Sequence, residues 1–242
     1  MHLQTLIAVC VFSLLAPAVK VNHQSQSYEQ ILSKDWERAM ECVAENGQMW
    51  NEVFAEFDLD ARECEAIVFP ELLRYSHLRD YMEQGAVRAL YVQGGKQSAD
   101  FSIGMFQMKP SFIEMVESAW MHSTMRHEYG LYFDCSDNVQ ARSARIKRLV
   151  ESKWQCIYLS MFVRLIIKRE VEIAAMTADR RVGLLATAYN VDFAGTVEQL
   201  NKWQKMRRFY LDFIPTASTI YYAYADIAVA AFNDEKLIPN KK

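Results

Sequence analysis

The run Cys156-Ile157-Tyr158-Leu159-Ser160-Met161-Phe162-Val163-Arg164-Leu165-Ile166-Ile167 is the densest part of a longer helical pattern from Val139 to Ala178. It reads as the central buried helix of an all-α fold, because apolar residues recur there with helical rather than alternating spacing. Working outward, Tyr28 to Ala44 repeats apolar positions at Ile31, Trp36, Met40 and Val43, as an amphipathic helix does. Asn46-Gly47 is expected to break it, with a second run reaching Phe57. Asp58-Leu59-Asp60 then supplies a turn and an N-cap for a segment opening at Ala61. Pro70 is expected to start or kink a helix through Tyr75. Leu78 to Val92 reads as a further helix ended by Gly94-Gly95, Gln93 to Phe101 as a polar loop, and Pro110 as the opening of a helix from Ser111 to Trp120. Met121 to Asn138 is the longest irregular stretch. Val182 to Tyr189, Val197 to Met206 and Ser218 to Phe232 complete the helical set.

The composition agrees with this reading. A chain of 242 residues, 51% apolar and 24% charged, has the makeup of a globular domain with a substantial core. Only 8 Gly and 5 Pro argue against a turn-dense sheet fold. A net charge of −3 gives no basic footprint for nucleic acid. The one basic stretch, Lys202 to Phe209, reads as the solvated face of a helix.

Residues 1–18 read as a signal peptide. Leu6 to Leu15 is apolar apart from Ser13 and too short to cross a bilayer, and Ala16-Pro17-Ala18 fits cleavage before Val19. Residues 19–242 are then one exported domain, periplasmic or secreted, with no membrane span. Export leaves Cys42, Cys64, Cys135 and Cys156 in an oxidising compartment. The local pairing, Cys42 with Cys64 and Cys135 with Cys156, is favoured, and four free thiols are the alternative. Neither a cofactor nor a metal is expected: no CxxC, HExxH, P-loop, Rossmann or GxSxG pattern occurs.

Chemistry concentrates at Glu71, a carboxylate inside Ile67-Val68-Phe69-Pro70-Glu71-Leu72-Leu73. Desolvation raises the pKa of such an acid, and one still protonated near neutral pH can protonate a leaving oxygen. Two features oppose this. A helix N-terminus at Pro70 and the Arg74 guanidinium at i+3 both favour the ionised form. Those effects are each worth roughly 0.3–1 kcal/mol, whereas full burial moves a pKa by about 3–5 units, so burial wins if the groove is dry. Glu65 is the competing acid. Six residues apart, the two cannot share one helical face.

Ser98, Gly104-Met105-Phe106-Gln107, Met108 and Pro110 together resemble the S-x-x-G-A-x-G-L-M-Q-x-x-P motif of soluble lytic transglycosylases and goose-type lysozymes. Phe101 and Ser102 stand where that family has Gly-Ala. Ala188-Tyr189-Asn190 resembles its A-Y-N motif, followed here by Val191-Asp192. Ile214-Pro215-Thr216-Ala217-Ser218-Thr219-Ile220-Tyr221-Tyr222 resembles its I-P-x-A-E-T-x-x-Y segment, with Ser218 in place of the glutamate.

The resemblance runs from about Ala61 to Phe232 and implies a lysozyme-like fold, with an inserted helix between the catalytic glutamate and the Gly-x-x-Gln turn. It implies cleavage of the MurNAc-GlcNAc β-1,4 bond of peptidoglycan strands. One glutamate, Glu71, would act as acid and then base to give a 1,6-anhydro product. It also implies that Ser98, Gly104, Gln107, Tyr189, Asn190 and Tyr222 bind the glycan. Gly104 would allow close approach of the sugar, and Asp100 would be a possible second acid or else a loop cap. The departures from the motifs keep open a non-catalytic glycan-binding or scaffold protein.

Overall fold

The computed structural model describes residues 27–78, 85–212 and 214–237. The proposed signal segment and its cleavage site lie outside them. Among the described residues the protein is mostly helical, with one contiguous hydrophobic core. No described helix is long and apolar enough to cross a membrane.

Helix α1 spans Tyr28–Glu56 and opens on a capping box, in which the Ser27 hydroxyl and Gln30 side chain each meet the other residue's backbone N–H at 3.3 Å. It passes through Asn46-Gly47 without a break, contrary to the sequence reading. The reason is its buried stripe, Leu32, Trp36, Ala39, Val43, Trp50, Val53 and Phe54, which continues on both sides of the glycine. That packing outweighs the roughly 1 kcal/mol a mid-helix glycine costs. The chain then turns at Asp58 (φ 50°), and Asp60 Oδ1 accepts from the Glu63 N–H at 3.0 Å, as the N-cap reading anticipates.

Helix α2 (Ala61–Leu78) carries Pro70 in its interior, so Pro70 neither starts the helix nor lends Glu71 an N-terminal dipole. Proline forfeits one backbone bond. Burial compensates, because every residue from Cys64 to Leu73 is buried and α2 packs on α1 and on two later helices, α9 (Ala178–Asn190) and α11 (Tyr224–Asn233). Leu78 belongs to α2, so the helix expected over Leu78 to Val92 is not one element. Its remainder is α3 (Gly85–Gly94), and 79–84 lie outside the described residues. Gly95 ends α3 in the left-handed region (φ 68°), donating its N–H to the Tyr91 carbonyl at 2.7 Å.

Pro110 opens α4 (Pro110–Met121), and the irregular stretch that follows contains only the short α5 (Met125–Glu128). Next come α6 (Val139–Leu149), α7 (Ser152–Arg169) and α8 (Val171–Ala174). Helix α7 is the buried helix read from Cys156 to Ile167, with an unbroken buried run from Gln155 to Val163. The fully buried Glu117 of α4 joins it to α6. Arg145 and Arg148 each approach the Glu117 carboxylate at 2.8 Å, and the Tyr158 hydroxyl donates to it at 2.5 Å. A buried carboxylate is tolerable only with such full pairing.

After α9 and α10 (Val197–Trp203) the basic stretch leaves the helix. Arg207–Phe209 forms β1, exposing Arg207 and Arg208 and burying Phe209, so this is not one helical face. It pairs antiparallel with β2 (Tyr222–Ala223). The helix expected from Ser218 therefore begins only at Tyr224, as α11, and a 3-10 turn at Glu235–Leu237 follows.

The favoured disulfides do not form: all four cysteines are thiols. Cys64 and Cys156 are buried, and burial pushes both thiols well above their ordinary pKa. The half-buried Cys42 meets Met105 Sδ at 3.6 Å rather than a second cysteine.

Candidate functional site

Glu71 lies in the middle of α2 and is 6% exposed. Its carboxyl faces a cleft of about 320 Å³. Arg74 of α2, the 102–109 turn, the first turns of α4 and the segment from Tyr189 to Phe193 form the walls. Sequence reading placed Glu71, Gln107, Tyr189 and Asn190 in one site, and all four line this cleft.

The turn opposite Glu71 is closed by backbone bonds between Ile103 and Met108 (3.0 and 3.1 Å). Gly104 (φ 71°) and Gln107 (φ 49°) both take left-handed conformations. For Gln107 this is an uncommon backbone, offset by its Nε2 donating to the Gly104 carbonyl at 2.8 Å. Gly104 does not line the cleft. It is required for another reason: a Cβ there would sit 1.6 Å from Gln155 Nε2.

Gln155, from α7, is 1% exposed. It accepts from the Phe106 N–H at 2.9 Å and donates to the Leu149 carbonyl at 2.7 Å. The Tyr189 hydroxyl donates to the Phe106 carbonyl at 2.6 Å. Both backbone groups of Phe106 are thus held by side chains from other helices. Gln155 escapes a sequence reading because a glutamine opening an apolar helix carries no local mark of its partner.

Burial pushes Glu71 up to about 7, against Arg74 and then Lys109, which favour the ionised form. Its Oε2 has no hydrogen-bond partner. Desolvation therefore exceeds the two cations, and the acid is protonated in part at neutral pH. The Tyr189 and Tyr224 hydroxyls are also held well above the usual phenol range, by burial first and by the nearby Glu71 charge next.

Tyr224, buried and with its hydroxyl unpartnered, is the tyrosine that shares Glu71's surroundings. Tyr222 does not. It sits on β2 with its ring against Tyr28 (6.2 Å) and outside the cleft lining. The motif resemblance pointed two residues too early, because the strand-to-helix junction at Ala223 sends Tyr224 inward.

Ser98 and Asp100 also lie outside the cleft lining. Ser98 is exposed and packs over the end of α3, where a Cβ on Gly94 would meet its Oγ at 2.0 Å. Asp100 is exposed and accepts from the Ser111 N–H (3.0 Å) and hydroxyl (2.7 Å), so it caps α4 rather than serving as a second acid. The carboxylate that joins Glu71 in the lining is Asp192, which accepts from the Ala194 N–H at 2.8 Å. Glu65, about 120° around α2 from Glu71, opens on a different cleft. Among the described residues no group of three or more His, Cys, Asp or Glu is placed to hold a metal ion. Comparison of the chain with protein-family models, with curated proteins and with solved structures returns no match.

Proposed function

We propose that the Glu71 cleft is the catalytic groove of an exported, lysozyme-like enzyme that cleaves the MurNAc-GlcNAc β-1,4 bond of peptidoglycan. The single observation that carries the reading is Glu71 itself, a buried acid held near 7 with an unpartnered oxygen, facing the turn that bears Gln107. An acid poised near the working pH both donates and regains a proton readily, as one-residue acid–base chemistry requires. Glu71 protonates the leaving glycosidic oxygen. It then takes a proton from the sugar's own 6-hydroxyl, giving the anhydro product, or from a water, giving hydrolysis. Asp192 is the lining carboxylate available to orient such a water. Asn190 and the 102–109 turn offer polar groups to the N-acetyl substituent.

A second reading is a glycan-binding protein without catalysis: Gln107 gives one of its two Nε2 hydrogens to the Gly104 carbonyl and keeps the other, with its Oε1, for a sugar. Loss of turbidity of purified murein sacculi separates the two. Wild type should clear the suspension and Glu71→Gln should not; an inert wild type favours the binding protein, and equal clearing by both removes Glu71 from the chemistry. Mass spectrometry of the released fragments then distinguishes anhydro from reducing ends.

A further inference from the structure

Glu65, unlike the paired Glu117, is a buried acid without an ion-pair partner among the described residues, and this function leaves it unused. It is 2% exposed and lines a cleft of about 530 Å³ between α1, α2 and the 3-10 turn at the C-terminal end of the described chain. Met40, Val43, Ala44 and Leu237 give this cleft apolar walls. Gly47 opens it toward the acid: a Cβ on Gly47 would lie 3.8 Å from Glu65 Oε1. Among the described residues no hydrogen-bond donor or cation meets the Glu65 carboxyl.

The groups around it do not neutralise it. Asp60 pushes the same way as burial, and the Cys64 and Cys156 thiols, raised first by burial, are raised further by the Glu65 charge. Glu52 at the rim adds negative charge and takes a hydrogen bond from Gln48 at 3.3 Å. Lys236, the one cation in the lining, is tied to Glu29 at 2.8 Å.

These features select a ligand class. The Glu52 carboxylate repels an anion, and so does Glu65 once it ionises. A wholly apolar ligand would leave the buried carboxyl unpaired, which costs free energy. A metal ion would want more ligands than the site gathers. A neutral hydrogen-bonding ligand would pair the carboxyl, but a charge-assisted bond is about twice as strong, which favours a cation on an apolar stem. We propose that this cleft binds a small organic ammonium, its stem among Met40, Val43 and Leu237 and its nitrogen on the Glu65 carboxylate.

Burial holds Glu65 up at about 8, so at pH 7 the empty site carries a proton. Binding then exchanges it, Glu65–COOH plus R–NH3+ giving the carboxylate–ammonium pair and a released H+. Affinity should therefore rise about tenfold per pH unit below 8 and level off above it.

The test is calorimetric titration of the folded protein with n-hexylammonium at pH 7, in two buffers of different ionisation enthalpy. We expect saturable one-to-one binding with close to one proton released, and binding of 1-hexanol about tenfold weaker or worse, since it lacks the charge-assisted bond. Glu65→Gln should lose the preference for the ammonium, and Gly47→Leu, which keeps the acid but fills the opening, should lose binding of both ligands. Glu71→Gln should bind as wild type does, which keeps this site separate from the proposed catalytic one. Circular dichroism confirms that each variant is folded. Nα-acetyl-lysine methylamide, tested alongside, separates a lysyl side chain of a peptide from a free amine by which of the two binds tighter. Binding of neither amine to the wild type, or hexylammonium binding untouched in Glu65→Gln, would overturn the proposal.

Discussion

Tyr189, near the end of α9, donates its hydroxyl hydrogen to the Phe106 carbonyl at 2.6 Å, tying the turn that carries Gln107 to the helix that carries Asn190. With Gln155 holding the Phe106 N–H, the turn is fixed from two sides. Tyr189→Phe keeps the ring packing on Phe112 and Phe162 but orphans that carbonyl. The expected loss is about 1–2 kcal/mol, read by urea denaturation. Sacculus clearing should drop more than stability alone explains.

Gly104 offers a sharper test of the same scaffold. Gly104→Ala brings a methyl onto Gln155 and strains a left-handed backbone. We expect a cost of roughly 2–5 kcal/mol, overpacking and dihedral strain together. Gln155→Ala makes room, yet it strands the Phe106 N–H and the Leu149 carbonyl. A double-mutant cycle on the two positions should thus show strong non-additivity, whereas additive losses would mean the pair is not in contact.

Acidity and stability are linked through Glu65 and Glu71. Both acids have folded pKa values above the ordinary 4.5, about 8 and about 7. Over that window the native state binds more protons than the unfolded chain, so stability falls as pH rises. The loss begins near 4.5 and levels off above 7 for Glu71 and above 8 for Glu65. The loss is on the order of 3 kcal/mol for Glu71 and on the order of 5 kcal/mol for Glu65. Melting temperature measured from pH 4 to 9 should decline, and Glu65→Gln with Glu71→Gln should flatten the curve; a profile rising over that range would contradict the buried acids.

Arg74 tunes the proposed acid. It is the larger of the two cationic influences holding Glu71 down, and its guanidinium lies over the Tyr210 ring (5.2 Å). In wild type the alkaline limb of kcat/KM should fall near 7, as Glu71 loses the proton it must donate. Arg74→Ala removes the stabilisation of the carboxylate, so that limb should move to higher pH. An unmoved limb would assign it to another group.

The thiols give a simple chemical check. Cys135 is exposed, Cys42 half-buried, and Cys64 and Cys156 are buried with raised pKa values. An aromatic disulfide reagent should label Cys135 first in the native protein and reach Cys64 and Cys156 only on unfolding. Identical electrophoretic mobility with and without reductant should accompany this, and a mobility shift would restore one of the disulfide pairings.

Much of the fold was legible from neighbouring residues. The Asp60 cap, the Gly95 stop, the Pro110 start and the buried run of α7 are local events, set by backbone sterics and helical spacing within a few positions. Glu71 could likewise be singled out by the apolar residues beside it, and Gln107, Tyr189 and Asn190 by the ordered motifs. Tertiary structure decided the rest. Pro70 stays inside α2, and α1 runs through Gly47, because packing of their buried faces exceeds the local cost. Whether an acid opens on one cleft or another, as Glu71 and Glu65 do, follows from which helices cover each face of α2. Gln155 and Tyr224 enter the site's framework through contacts and fields set by distant parts of the chain, across 49 residues for Gln155 and Phe106. Periodicity along a helix names the buried face, but the partner that meets it is chosen only when the helices come together.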